Sequence, residues 1–214
     1  MNIVLLGSPG SGKGTQARAL SAKLGLLHLS LGDILWNELD KKTPLGQQVG
    51  DYLSTGCLVP DWLVLGVLKE KLTEAKSGFL LDGFPGTMEQ AEGLDALLAA
   101  RSIGLDAVVY LNLPEAEAVR RLVERRICPA CGMIFNRLTA KPVIEDVCDS
   151  CGGALKSRND DKAGVVKQRV MAYRVQTEPL ISYYRRNAEF SEVSAGLSPQ
   201  AITDRILALL KHLQ

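Results

Sequence analysis

Gly7-Ser8-Pro9-Gly10-Ser11-Gly12-Lys13-Gly14-Thr15 is the stretch on which the fold turns, because of what stands on either side of it. Upstream, residues 3–6 are a short continuous apolar run, the pattern of a strand buried on both faces of a parallel sheet. Downstream, Ala17, Leu20 and Leu24 recur at helical spacing and Gly25 supplies a stop. A glycine-rich turn of the form G-x-x-x-x-G-K between strand and helix is a phosphate cradle. Its glycines let the backbone turn sharply and aim successive N–H groups at an anion, and the helix N-terminus adds positive potential. Lys13 brings a full charge to the outer phosphates, and the hydroxyl that usually follows the lysine stands one step later, at Thr15.

The pattern repeats along the chain. Residues 27–29, 79–81, 107–111 and, less sharply, 192–194 read as further strands. Helices are expected over 33–39, 45–54, 62–75, 87–100, 115–126, 162–187 and 199–213. Strands alternating with helices imply the α/β class: a three-layer parallel sheet with helices on both faces and binding sites at the carboxyl ends of the strands. Segment 127–161 differs, with prolines, glycines and paired cysteines but little periodicity. It reads as a small insert in which a metal replaces the missing core.

Composition excludes other classes. A chain of 214 residues with 46% hydrophobic content can bury one substantial core. Its 25 basic residues nearly balance 24 acidic ones, which is no polycation for holding nucleic acid. The opening apolar run is too short for a secretory signal, and no stretch approaches the ~20 apolar residues of a membrane span. A cytoplasmic setting is expected. Of the five cysteines, Cys128 and Cys131, then Cys148 and Cys151, give C-x2-C, sixteen residues, C-x2-C. In a reducing compartment that spacing means a tetrahedral zinc site, and four thiolates leave no open position for catalysis. Nucleic-acid-binding zinc ribbons share the spacing, but between the pairs Arg137 and Lys141 are offset by Glu145 and Asp146. Cys57 stands alone and reads as a small buried hydrophobe.

The loop, with Gly14 and Thr15 after the lysine, resembles that of adenylate kinases and their nucleoside monophosphate kinase relatives. The resemblance continues in family order through Ser30, Gly32 and Asp33, Gly56-Cys57-Leu58-Val59, Asp82-Gly83-Phe84-Pro85, Arg125-Arg126 and Arg158-Asn159-Asp160-Asp161. It implies a P-loop core of residues 1–29, 60–125 and 164–214, a helical nucleoside-monophosphate-binding insert over 30–59, and a zinc-binding lid over 126–163. It implies MgATP as phosphoryl donor and a nucleoside monophosphate, AMP foremost, as acceptor, in a monomer without nucleic acid or membrane partners. The donor site then comprises Gly10, Ser11, Gly12, Lys13, Gly14, Thr15, Arg121, Arg125 and Phe135. Lys13, Arg125, Arg158 and Arg169 stabilise the transferred group, which needs positive charge more than acid or base chemistry. Asp82 holds the water shell of Mg²⁺, while Asp160 and Asp161 latch the lid. From helix spacing, Arg121 and Arg125 share one face of the helix expected over 115–126, whereas Arg120 and Arg126 read as ordinary helix-end arginines.

The acceptor side departs from the family. The resemblance assigns it Leu31, Trp36, Cys57, Val59, Gly83, Gly86 and Gln90, with Arg158 and Arg169 shared. Adenylate kinases carry a threonine where Leu31 sits and arginines where Trp36 and Gly86 sit. Three readings stay open on this basis: poor phosphorylation of AMP, a less anionic or more apolar acceptor on Trp36, or an ATP-binding switch with little turnover. Trp36 is equally consistent with plain packing on an amphipathic helix.

Overall fold

The computed structural model describes residues 1–55 and 57–213, so Gly56 lies outside the described residues, as does the side chain of Asn159. The chain opens with β1 (Asn2–Gly7), α1 (Lys13–Leu24) and β2 (Leu27–Ser30). Then come α2 (Leu31–Asp40), α3 (Pro44–Thr55), α4 (Asp61–Lys71), β3 (Phe79–Asp82), α5 (Met88–Ala99), β4 (Ala107–Asn112) and α6 (Glu115–Val123). A two-stranded hairpin of β5 (Arg125–Ile127) and β6 (Ile134–Asn136) follows. The chain closes with α7 (Ala163–Ala172), α8 (Pro179–Asn187), β7 (Phe190–Ser194) and α9 (Pro199–Leu210).

The main sheet has five strands in the order β2-β3-β1-β4-β7, all paired in parallel. Each strand divides its side chains between two layers, as a period of two requires. In β1, Val4 and Leu6 join a cluster with Leu68, Leu94 and Leu180 from α4, α5 and α8. Ile3 and Leu5 face the other way, onto Leu20 and Ile206 from α1 and α9. Burial of a leucine or isoleucine side chain is worth roughly 1.5–3 kcal/mol, and both faces of β1 collect it. The expected three-layer α/β sheet is therefore the observed one. No helix among the described residues is long and apolar enough to cross a membrane.

Two expected helices are cut short. The helix expected to run to residue 126 ends at Val123, and Arg125 and Arg126 lie on β5, paired with Asn136 and Phe135 of β6. Arg121 and Arg125 thus share no helix face. The helix expected over 162–187 is interrupted by a π-turn at Tyr173–Thr177. Pro179 is the physical cause: it has no N–H to continue the ladder, and its ring crowds the preceding turn.

The segment between β5 and α7 does hold a core, though a very small one: Cys128, Phe135, Cys148 and Leu155. Half of it is cysteine, consistent with a unit that leans on a metal for stability.

Candidate active site

The sheet delivers the cradle at its centre. β1 ends at Gly7, beside Leu111 of β4, while Asp82 at the end of β3 pairs with Leu5, and the loop between β1 and α1 follows at the carboxyl edge. Gly10 takes a left-handed φ of 85°, and a Cβ there would lie 2.6 Å from the Ala118 carbonyl of α6, so only glycine lets the loop lie this close to that helix. The Ser8 and Ser11 hydroxyls are buried without a protein partner.

Lys13 Nζ donates to the Gly7 and Ser8 carbonyls at 2.6 and 3.0 Å. Burial pulls its pKa down to about 8, with Arg169 and Arg125 pulling the same way and Asp82 resisting. A phosphate chain favours the charged amine, so above pH 8 nucleotide binding must restore a proton to Lys13. The expected result is uptake of about one proton per MgATP bound at pH 9 and almost none at pH 7, with affinity falling up to about tenfold per pH unit above 8. Calorimetry in buffers of differing ionisation heat measures it.

One cavity of about 680 Å³ opens beside the cradle. Gly10, Ser11, Gly12, Lys13, Gly14 and Thr15 line it, together with Arg121 and Phe135. Leu31, Trp36, Cys57, Val59, Gly83, Gly86 and Gln90 line it too. Asp82, Arg125, Arg158, Asp160 and Arg169 also line it. Of the expected site residues outside the cysteine quartet, only Asp161 is not on the wall, and it sits directly behind the arginines.

Asp160 and Asp161 are buried and belong to a 3-10 turn, Asn159–Asp161, so they are not a solvated charge run. Arg125 makes a bidentate pair with Asp161, Nε and Nη2 each at 2.7 Å. Arg169 reaches Asp160 at 3.0 Å and Asp161 at 3.2 Å, and Arg158 Nε donates to Asp160 at 2.9 Å. Burial alone pushes the Asp160 carboxyl up, but Arg169, Arg158 and Arg125 outweigh it and hold it below its ordinary range. Two carboxylates thereby organise three guanidiniums along one side of the cavity. Arg121 is held separately, by Glu117 at 2.9 Å and the Ala195 carbonyl at 3.0 Å. Arg120 pairs with Glu117 in solvent, and Arg126 caps the Val123 and Arg125 carbonyls, both away from the wall.

The wall residues expected to take an acceptor are held differently. Leu35 of α2 is buried in the core and Leu31 and Ile34 pack against it, but Trp36 belongs to no core cluster and faces the cavity. It is therefore not a packing residue of an amphipathic helix. Gln90 is buried: its Oε1 accepts from the Gly86 N–H at 2.6 Å, and its Nε2 donates to Asp61 at 2.7 Å. One amide N–H and one lone pair remain for a base edge. Cys57 is exposed, against the expectation of a buried hydrophobe. Segments 30–59 and 83–90 contribute no lysine or arginine to the wall.

The reading of the sequence missed Tyr173 and Thr177, which line the cavity from the π-turn. Thr177 Oγ1 donates to the Gly86 carbonyl at 2.7 Å. Pro179 was the available signal, since a proline inside a helical run forces a defect one turn before it.

Cys128, Cys131, Cys148 and Cys151 bring their sulfurs within 4.8 Å of one another. Cys128–Cys151 and Cys131–Cys148 separations of 3.4 and 3.5 Å approach the ~3.8 Å edge of a tetrahedron with Zn–S bonds of about 2.3 Å. Each pair sits on a turn closed by a left-handed glycine: Gly132 N–H donates to the Cys128 carbonyl at 2.8 Å, and Gly152 N–H to that of Cys148 at 2.9 Å. A Cβ at Gly153 would come within 3.2 Å of the Cys128 sulfur. The donor set and its spacing fit a zinc ion.

The family model for adenylate kinase matches residues 5–189. The chain belongs to the adenylate kinase family. It is 41% identical over 216 residues to the adenylate kinase of Archaeoglobus fulgidus, covering all of both chains. With that of Caldicellulosiruptor saccharolyticus it shares 44% over 215 residues, covering 100% of this chain and 99% of the relative. With that of Thermodesulfovibrio yellowstonii it shares 42% over 213 residues, covering 99% of each. Membership makes the chain a nucleotide phosphotransferase.

Proposed function

We propose that the protein catalyses reversible phosphoryl transfer from MgATP to AMP, giving two ADP. The observation that carries this reading is that one cavity is lined by the P-loop, by the residues expected to take the acceptor, and by Arg125, Arg158 and Arg169. In the forward step an oxygen of the acceptor phosphate forms a bond to the γ-phosphorus as the bond to the β-phosphate's bridging oxygen breaks. No proton need move. Lys13 holds the donor phosphates, the three arginines meet charge on the transferred group's oxygens, and Arg121 and Phe135 cover the donor base. Val59, Gly83 and Gln90 surround the acceptor base. Asp82, with Thr15, would hold the water shell of the Mg²⁺ that arrives with ATP, whose charge would offset that of the donor phosphates.

Residues 126–163 act as the lid, 30–59 as the acceptor insert, and 1–29, 60–125 and 164–214 as the core. The lid's enclosure of the cavity excludes water and hydrolysis. We further propose that the lid zinc is structural and that the protein works as a monomer in the cytoplasm, whose reducing conditions preserve four free thiols. Removing the zinc with a chelator is expected to lower the melting temperature while leaving turnover measurable at temperatures where the chain stays folded. Loss of chemistry without unfolding is the contrary result, read by calorimetry and assay together.

One observation favours a second reading, an ATP-binding homologue with another acceptor or little activity: the acceptor segments put no cation on the wall. A panel of nucleoside monophosphates with ATP and Mg²⁺ separates the two. AMP-dependent ADP formation supports the first, and tight ATP binding with no turnover on AMP supports the second.

A further inference from the structure

Arg158 is the guanidinium that touches the acceptor wall, and groups from two sides hold it. Asp160, two residues along, takes its Nε and Nη2 at 2.9 and 3.3 Å. Across the cavity α2 supplies Asp33, with Oδ1 3.7 Å from Nη1, and the ring of Trp36, whose centroid lies 5.7 Å from the guanidinium carbon. Asp33 and Trp36 are three residues apart and so share a helix face. That face is turned to the cavity.

The two kinds of contact differ in what they leave free. A carboxylate occupies N–H groups at the edge of a guanidinium, and Asp160 already takes two of the five. An aromatic ring engages the flat face and consumes no donor. Trp36 can therefore hold Arg158 against α2 without using a donor, and Asp33, 3.7 Å from Nη1, is an ion-pair neighbour beyond hydrogen-bond distance, so the Nη1 hydrogens can still turn to a phosphate. Since segments 30–59 and 83–90 place no cation on the wall, an acceptor phosphate at that end depends on guanidiniums brought from elsewhere in the chain.

We propose that Trp36 is a positioning residue for acceptor binding, its ring face fixing the Arg158 guanidinium on the acceptor side of the cavity so that Arg158 meets the acceptor's phosphate. This rests on the reading of the reaction as phosphorylation of a nucleoside monophosphate. It makes an aromatic ring at position 36 the requirement, where bulk or apolarity alone does not suffice.

The test compares KM for AMP, KM for ATP and kcat in the wild type, Trp36→Leu and Trp36→Phe. Trp36→Leu is expected to raise the AMP KM about tenfold, from loss of a desolvated cation–π contact, with the ATP KM within about twofold of wild type. Trp36→Phe is expected to recover most of that loss. Equal AMP KM values in the wild type and Trp36→Leu, a Phe variant no better than Leu, or a parallel rise in the ATP KM overturns the proposal. No AMP-dependent ADP formation by the wild type sinks the acceptor reading instead, and the contact is then read directly. In a Trp62→Phe protein Trp36 is the sole tryptophan, and Arg158→Ala should shift its selectively excited emission; an unchanged spectrum overturns the stack.

Discussion

Lys13→Met is expected to lower kcat by about a thousandfold, at the upper end of what loss of one preorganised donor costs in a closed site. The amine sits in the cradle between the Gly7 and Ser8 carbonyls. Its partners are backbone oxygens of the same loop, so it is already aimed where the donor phosphates lie. The protein maintains this charge against a penalty, since burial and two neighbouring arginines all favour the neutral amine. A group kept in so unfavourable a place is there for a ligand's charge. The same point predicts the stability readout. Met removes the desolvated amine along with the chemistry, so the melting temperature should change little while turnover collapses. Lys13→Arg should rescue only weakly, because a planar fork replaces a compact ammonium in a pocket shaped by two carbonyls. Steady-state kinetics beside thermal melts check all three statements. A Lys13→Met enzyme within about tenfold of wild-type kcat would remove the lysine from the chemistry.

The parts of this fold legible in the sequence are those set by local pattern. The apolar runs of β1, β3 and β4 announce strands because both their faces are buried, and the cradle announces itself because Gly10 and Gly12 occupy backbone conformations other residues avoid. The four cysteines were legible for the same reason: ligand spacing is local. What was not legible depends on distant partners. Val123-Glu124-Arg125-Arg126 contains no glycine or proline to stop a helix, and only pairing with Ile134–Asn136 and with Lys156 makes β5 a strand. The grouping of Arg125, Arg158 and Arg169 on Asp160 and Asp161 likewise spans 45 positions and exists only once the chain is folded. Trp36 shows the limit most plainly. Helical spacing left it able to face core or cavity, and the Arg158 contact is what distinguishes them.

Gly86→Arg should lower the KM for AMP by one to two orders of magnitude. The backbone there is held from both sides, its N–H by Gln90 and its carbonyl by Thr177, so the loop need not move to accept a side chain. Nor does Gly86 adopt a φ reserved for glycine, and the nearest atoms a Cβ would meet are Gln90 Oε1 at 3.4 Å and Leu58 carbons at 3.6 and 3.7 Å, ordinary contacts. A guanidinium growing from this point enters an acceptor end that has no basic residue of its own, and one charge-assisted hydrogen bond to a phosphate contributes about 1.5–3 kcal/mol. Because Trp36 is untouched, its hold on Arg158 persists and the new cation adds to the old. The effect should fall on KM for AMP and leave KM for ATP alone, since Gly86 neighbours Gln90 and Leu58 and not the P-loop. If the AMP KM stays where it was, the acceptor phosphate does not lie beside Gly86, and the apolar wall of Leu31, Leu58 and Trp36 serves an acceptor of another chemistry.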